Sequence, residues 1–119
     1  MKNEATGFKR LIAATGFSMA GLKSSYKTEA AFRQEVWLAI VLIPLALFIG
    51  DSAMEISLMI ASVILLMITE LLNTAVELVV DRIGHEFHEL SGRAKDTGSA
   101  AVLLAIVLVV VVWLGALIG

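Results

Sequence analysis

An all-α integral membrane domain is the fold class the sequence predicts, with an N-terminal amphipathic interfacial helix ahead of three transmembrane helices. Three observations lead to it. The 119-residue chain is 59% hydrophobic, above the ~45–50% apolar usage of soluble domains. Its last 23 residues, 97–119, contain no charge, and ~20 apolar residues suffice to cross a bilayer core. A second stretch, 56–80, is apolar in the main, with Glu70, Asn73 and Glu77 set inside it. So short a chain makes one compact unit. A net charge of -2 gives no reason to expect nucleic acid, and without cysteine there is no disulfide framework.

The elements follow in order. Over 1–28, Phe8, Leu11, Ile12, Thr15, Met19, Leu22 and Tyr26 recur at helical spacing, while Lys9, Arg10, Lys23 and Lys27 lie off that stripe. This is the pattern of a helix lying in the interface plane, where it anchors the protein or docks lipid head groups. The first span has an uncharged centre, 36–50, between Glu35 and Asp51. That centre is short of the ~20 residues a bilayer requires, so its helix is expected to begin near Glu29 and to run over about 29–50, with Pro44 a candidate kink. The second span is expected over 53–80 and the third over 97–118, joined by a cytoplasmic loop at 81–96.

Orientation follows from the cations. Six of the nine Lys and Arg (Lys2, Lys9, Arg10, Lys23, Lys27, Arg33) precede the first span, and the other three (Arg82, Arg93, Lys95) lie between the second and third. The positive-inside rule then sets the N-terminus and the 81–96 loop in the cytoplasm and the C-terminus outside. Trp37 and Trp113 are expected in the two aromatic belts. No secretory signal is read, because the first long apolar run does not begin until Val36.

The chemistry is expected on the second span. At about 100° per residue, positions i, i+3 and i+7 share one helical face, so Glu70, Asn73 and Glu77 point to the same place. Carboxylates at membrane depth are costly, and three polar groups on one face favour a functional site over an interhelical hydrogen-bond set. With a rise of 1.5 Å per residue, Glu77 falls at the cytoplasmic rim and Glu70 roughly 10 Å deeper. A water-soluble ligand carrying phosphates and Mg²⁺ can reach Glu77, whereas a hydroxyl on a membrane lipid meets Glu70, the candidate general base. The segment DRIGHEFHELSGRAKD (81–96) offers Arg82, Arg93 and Lys95 to anionic phosphate, with Gly84 and Gly92 permitting close approach. It contains no P-loop, and HEFH (85–88) is one residue short of the H-E-x-x-H zinc motif, so His85 reads as an incidental loop residue.

The strings EAAFRQE (29–35), ELLNTAVELVVDRIG (70–84) and HELSGRAKDTGSAAV (88–102) resemble the prokaryotic diacylglycerol kinase family, small integral membrane lipid kinases, over nearly the whole chain. The resemblance implies a homotrimer that uses Mg·ATP to phosphorylate diacylglycerol to phosphatidic acid at the cytoplasmic face of the bacterial inner membrane. It makes Glu70 the proton acceptor, Glu29 and Glu77 the metal ligands, and Lys95 a phosphate contact. Asn73, Glu86, His88 and Asp96 stand around the nucleotide with Arg10 and Phe17, and Arg10, Arg33, Gln34, Glu35 and Ser99 near the lipid head group. Position 17 is commonly Tyr in close relatives and is Phe17 here, so only ring contact remains. A branch of the same family phosphorylates undecaprenol, but RIGHEFHELSGRAKD (82–96) looks closer to the diacylglycerol branch. The rival from another class is a small oligomeric channel or proton-coupled transporter, which has no use for Glu29, Lys95 and Asp96 at one rim.

Overall fold

A computed structural model describes residues 6–84, 86 and 88–119. Lys2 and His85, both read from the sequence, lie outside the described residues. The chain forms four helices in order: α1, Gly7–Thr28; α2, Ala30–Ile49; α3, Ala53–Ile83; and α4, Glu89–Ile118. Of these, α2, α3 and α4 are long and apolar enough to cross a membrane, and no strand occurs among the described residues. Hydrocarbon cannot hydrogen-bond a backbone, and the helix satisfies its polar groups internally.

Local chemistry sets the boundaries. Ser52 caps α3, its side chain accepting from the Glu55 backbone N–H at 3.1 Å, while Glu55 Oε1 accepts from the Asp51 N–H at 3.0 Å. This reciprocal arrangement closes the tight α2–α3 turn. Gly50 is required there, because a Cβ would strike Ile56 and the Ala46 carbonyl. At the other end of α3, Gly84 is extended at φ 168°, and His88 caps α4 by accepting the Leu90 N–H on Nδ1 at 3.0 Å. α2 runs unbroken through Pro44.

The stretch expected as a loop, 81–96, is helical at both ends, since α3 continues to Ile83 and α4 starts at Glu89. Its polarity reports exposure to water, not loss of helix. With a 1.5 Å rise per residue, the 31 residues of α3 extend over about 46 Å. That length exceeds the ~30 Å hydrocarbon core of a bilayer.

Packing is tightest between α3 and α4, weaker between α2 and α3, and slight between α1 and α2. The buried core gathers Ala39 and Ala46 of α2, Met59 and Val63 of α3, and Trp113 of α4. Small residues on α2 bring the helix axes close, as expected where lipid supplies no hydrophobic drive between spans. Trp113 departs from the belt expectation: it is buried, and its indole N–H lies 3.3 Å from both the Met59 carbonyl and Ser62 Oγ. An indole that finds its acceptors inside the bundle has no need of the interface. Trp37, by contrast, is exposed.

Trp113→Phe removes that donor together with part of the buried indole, so it is expected to cost at least the ~0.5–1.5 kcal/mol of a lost hydrogen bond plus the cavity left behind, read by reversible unfolding in detergent micelles. No measurable change would mean that the ring alone holds α4 to α3.

Candidate active site

The sequence stripe Glu70, Asn73, Glu77 lies along α3, and the structure brings partners to it. Glu70 is 6% exposed and its Oε2 has no hydrogen-bond partner. Asn73 Oδ1 and, across on α2, Glu35 Oε1 are buried without partners as well. The charges of Glu77 and Glu29 act on Glu70, and that of Glu70 acts on Glu35. Four carboxyl groups therefore share one region, with the Asn73 amide facing Glu70. Buried polar atoms without partners are rare in folded proteins. Here they cluster, and they point to a polar ligand rather than to a finished hydrogen-bond set.

Each element supplies its group by a different device. Glu29 is the single residue between α1 and α2, extended at φ −111° and ψ 107°, with Thr28 Oγ1 lying 3.1 Å from its Oε2. Glu35 stands less than two turns into α2. From α4, Gly98 packs against Asn73 so closely that a Cβ at 98 would collide with Asn73 Oδ1. Beside this contact, a groove of about 570 Å³ opens between α3 and α4, lined by apolar residues with Asn73 on one wall and Arg93 near the solvent end.

Nearer the solvent end, the Lys95 ammonium donates to Asp81 Oδ1 at 2.8 Å, joining α3 to α4. Both side chains line a second pocket of about 270 Å³ with Glu86, His88, Ser91 and Gly92. Sequence reasoning overlooked Asp81, although a signal was present: it continues the 70, 73, 77 stripe at the next i+4 step.

Other expected residues are not gathered. Arg10 and Phe17 lie exposed on α1, about 28 and 18 Å along the helix from Glu29. Gln34, Asp96 and Ser99 are exposed, and Arg33 is committed to backbone carbonyls of α1, with Nη1 2.8 Å from Tyr26 O and 3.1 Å from Lys27 O. Among the described residues, no group of three His, Cys, Asp or Glu converges as a metal site. Two carboxylates remain a sufficient protein share for Mg²⁺, which keeps waters and takes its other ligands from substrate phosphates.

Residues 16–117 match the family described as prokaryotic diacylglycerol kinase. The chain is similar to a diacylglycerol kinase of Haemophilus influenzae, 58% identical over 114 residues, which covers 96% of this chain and 97% of that one. It is 52% identical over 113 residues to a diacylglycerol kinase of Escherichia coli, covering 95% and 93%. To one of Helicobacter pylori it is 41% identical over 110 residues, covering 92% and 86%.

Two helical glycines give opposite expectations. Gly92 meets open space, so Gly92→Ala should gain up to about 1 kcal/mol from helix propensity. Gly98→Ala should lose stability despite the same propensity gain, because the Asn73 side chain must move. Unfolding midpoints in one detergent decide it, and a stabilised Gly98→Ala would mean that the α3–α4 contact is loose.

Proposed function

This chain belongs to the prokaryotic diacylglycerol kinase family, and we propose that it transfers the γ-phosphoryl group of ATP to diacylglycerol, forming phosphatidic acid at the cytoplasmic face of a bacterial inner membrane. The observation that carries the reading is the buried Glu70 carboxyl, whose Oε2 has no hydrogen-bond partner, within reach of the charges of Glu29, Glu35 and Glu77.

In this reading Glu70 accepts the proton of the lipid hydroxyl as its oxygen bonds to the γ-phosphorus, and the bond to the β-phosphate oxygen breaks to release ADP. Asn73 orients the Glu70 carboxyl through its amide. Glu29 and Glu77 would hold Mg²⁺, which neutralises phosphate charge when bound with the nucleotide. Lys95 contributes a cation beside the phosphates, exchanging its Asp81 partner for them. Both partners are exposed, and water competes for an ion pair of this kind, so the exchange is easy. Glu86, His88 and Asp96, with Arg10 and Phe17 of α1, complete the nucleotide side.

The lipid approaches laterally. Its polar backbone sits at head-group depth beside Gln34, Glu35, Ser99 and Arg10, with Arg33 behind them, and the apolar groove between α3 and α4 supports that direction of entry. The family resemblance implies a homotrimer.

The test uses the purified full chain in mixed micelles with diacylglycerol, Mg²⁺ and γ-labelled ATP. Label should enter the lipid phase as phosphatidic acid; hydrolysis without lipid labelling would sink the reading. Glu70→Gln should reduce kcat by roughly 10²–10⁴-fold with Mg·ATP binding nearly intact. Glu77→Gln should instead weaken metal and nucleotide binding, and equal loss of nucleotide affinity in both variants would remove the distinction between them.

The cation distribution orients the chain with the N-terminus inside and the C-terminus outside. A reporter fused after Gly119 should read as periplasmic, and a cytoplasmic signal would reverse the proposed topology.

A further inference from the structure

The corner between α1 and α2 consists of one residue, Glu29. A helix end leaves its last four carbonyls without intrahelical partners, and in α1 these belong to Ser25, Tyr26, Lys27 and Thr28. The Glu29 N–H donates to Ser25 O at 2.8 Å. The next two, Tyr26 O and Lys27 O, accept from Arg33 Nη1 at 2.8 and 3.1 Å. Arg33 is itself in the first turn of α2, where its backbone N–H donates to Glu29 O at 3.1 Å. One residue thus grips both sides of Glu29, by its main chain on one side and its guanidinium on the other.

Apolar packing at this corner is narrow. Ser25 is the only buried residue of α1, and the helix packs to a slight extent on α2. Phe32 of α2 is fully buried there and lines a hollow with Met19, Leu22 and Tyr26 of α1, so one apolar side chain and the Arg33 hydrogen bonds together set the angle at which α1 leaves the first span. A cation at a helix C-terminus is also favoured by the macrodipole. The planar guanidinium suits the task because its donors are fixed relative to one another, whereas an ammonium on a flexible stem is not so directed.

We propose that Arg33 is a positioning residue: its guanidinium clamps the end of α1 and thereby holds the Glu29 carboxylate in place at the corner between α1 and α2. The kinetic part of this inference rests on Glu29 acting as a metal ligand. The geometric part does not. It commits Nη1 of Arg33 to protein carbonyls and leaves Nη2 and Nε as its remaining donors.

Two measurements on the full chain test it. Steady-state kinetics in mixed micelles compare wild type with Arg33→Gln and Arg33→Lys. Losing a group that orients a metal ligand typically costs about 10–100-fold in metal affinity, so Arg33→Gln should raise the half-saturating Mg²⁺ concentration by that order. The KM for diacylglycerol should stay within about twofold, and Arg33→Lys should fall between. A raised KM for diacylglycerol with an unchanged Mg²⁺ requirement would make Arg33 a head-group contact and overturn the proposal. So would no change in either quantity.

The second measurement stands even if the variants are inactive. The chain has no native cysteine, so Cys substitutions at Ser18 of α1 and Leu47 of α2, both exposed, accept spin labels, and dilution with unlabelled chain restricts the reading to pairs within one chain. Arg33→Gln should broaden the distance distribution, with Arg33→Lys intermediate; an unchanged narrow distribution overturns the clamp. If Glu29→Gln leaves the Mg²⁺ requirement untouched, the metal role of Glu29 fails while the distance result still judges Arg33.

Discussion

A carboxyl group facing lipid tails is costly, and Glu70 is buried within a helix long and apolar enough to cross a membrane. The rest of the structure can be read as shelter for that group. α2 closes over one side and contributes Glu35, while α4 closes over the other with a glycine where Asn73 needs room. The apolar core lies toward the opposite end of the spans, around Trp113, Met59 and Ala46. Fixing the helices there leaves their other ends free to hold polar groups without complete pairing. The division is physical: packing stabilises one end, and unmet hydrogen-bonding capacity accumulates at the other.

Short connections make this possible in so small a chain. The turn after α2 needs Gly50 and the Ser52–Glu55 pair, and it commits α3 to return antiparallel beside α2. The link from α3 to α4 ends with His88 as a cap, so a residue expected at the nucleotide also starts a helix. Both turns save ordering entropy compared with long loops. They also fix where each acidic residue emerges relative to the membrane surface. Glu29 is the exception, because its corner is held by the side-chain hydrogen bonds of Arg33 beside the buried Phe32.

Residues whose placement follows from period and polarity were legible in the sequence. The 70, 73, 77 stripe is such a case, because helical spacing alone aligns it, and the spans were legible because hydrocarbon admits few alternatives. The helical ends of 81–96 were not, since polarity distinguishes water from lipid but not helix from loop. Trp113 was misplaced because its acceptors, Met59 O and Ser62 Oγ, belong to another helix. The grip of Arg33 on α1 was hidden for a related reason: it depends on a helix interruption at Glu29 whose angle no residue type announces. Sequence pattern reports the environment of a side chain, and partners across a corner lie outside its reach.

The length of α3 has one further consequence. In the proposed topology a helix of 31 residues is longer than the apolar slab it crosses, and its acidic stripe would lie across the membrane surface at a depth set by how the hydrophobic stretch matches the bilayer. A thicker bilayer would draw Glu77 toward the acyl chains, and a thinner one would lift Glu70 toward water, unless the helix tilts to compensate. The same residues would then meet their two substrates, one dissolved in each phase, at different relative heights. α3 is in effect a gauge laid across the boundary between water and oil, and lipid chain length becomes a variable of the protein's chemistry.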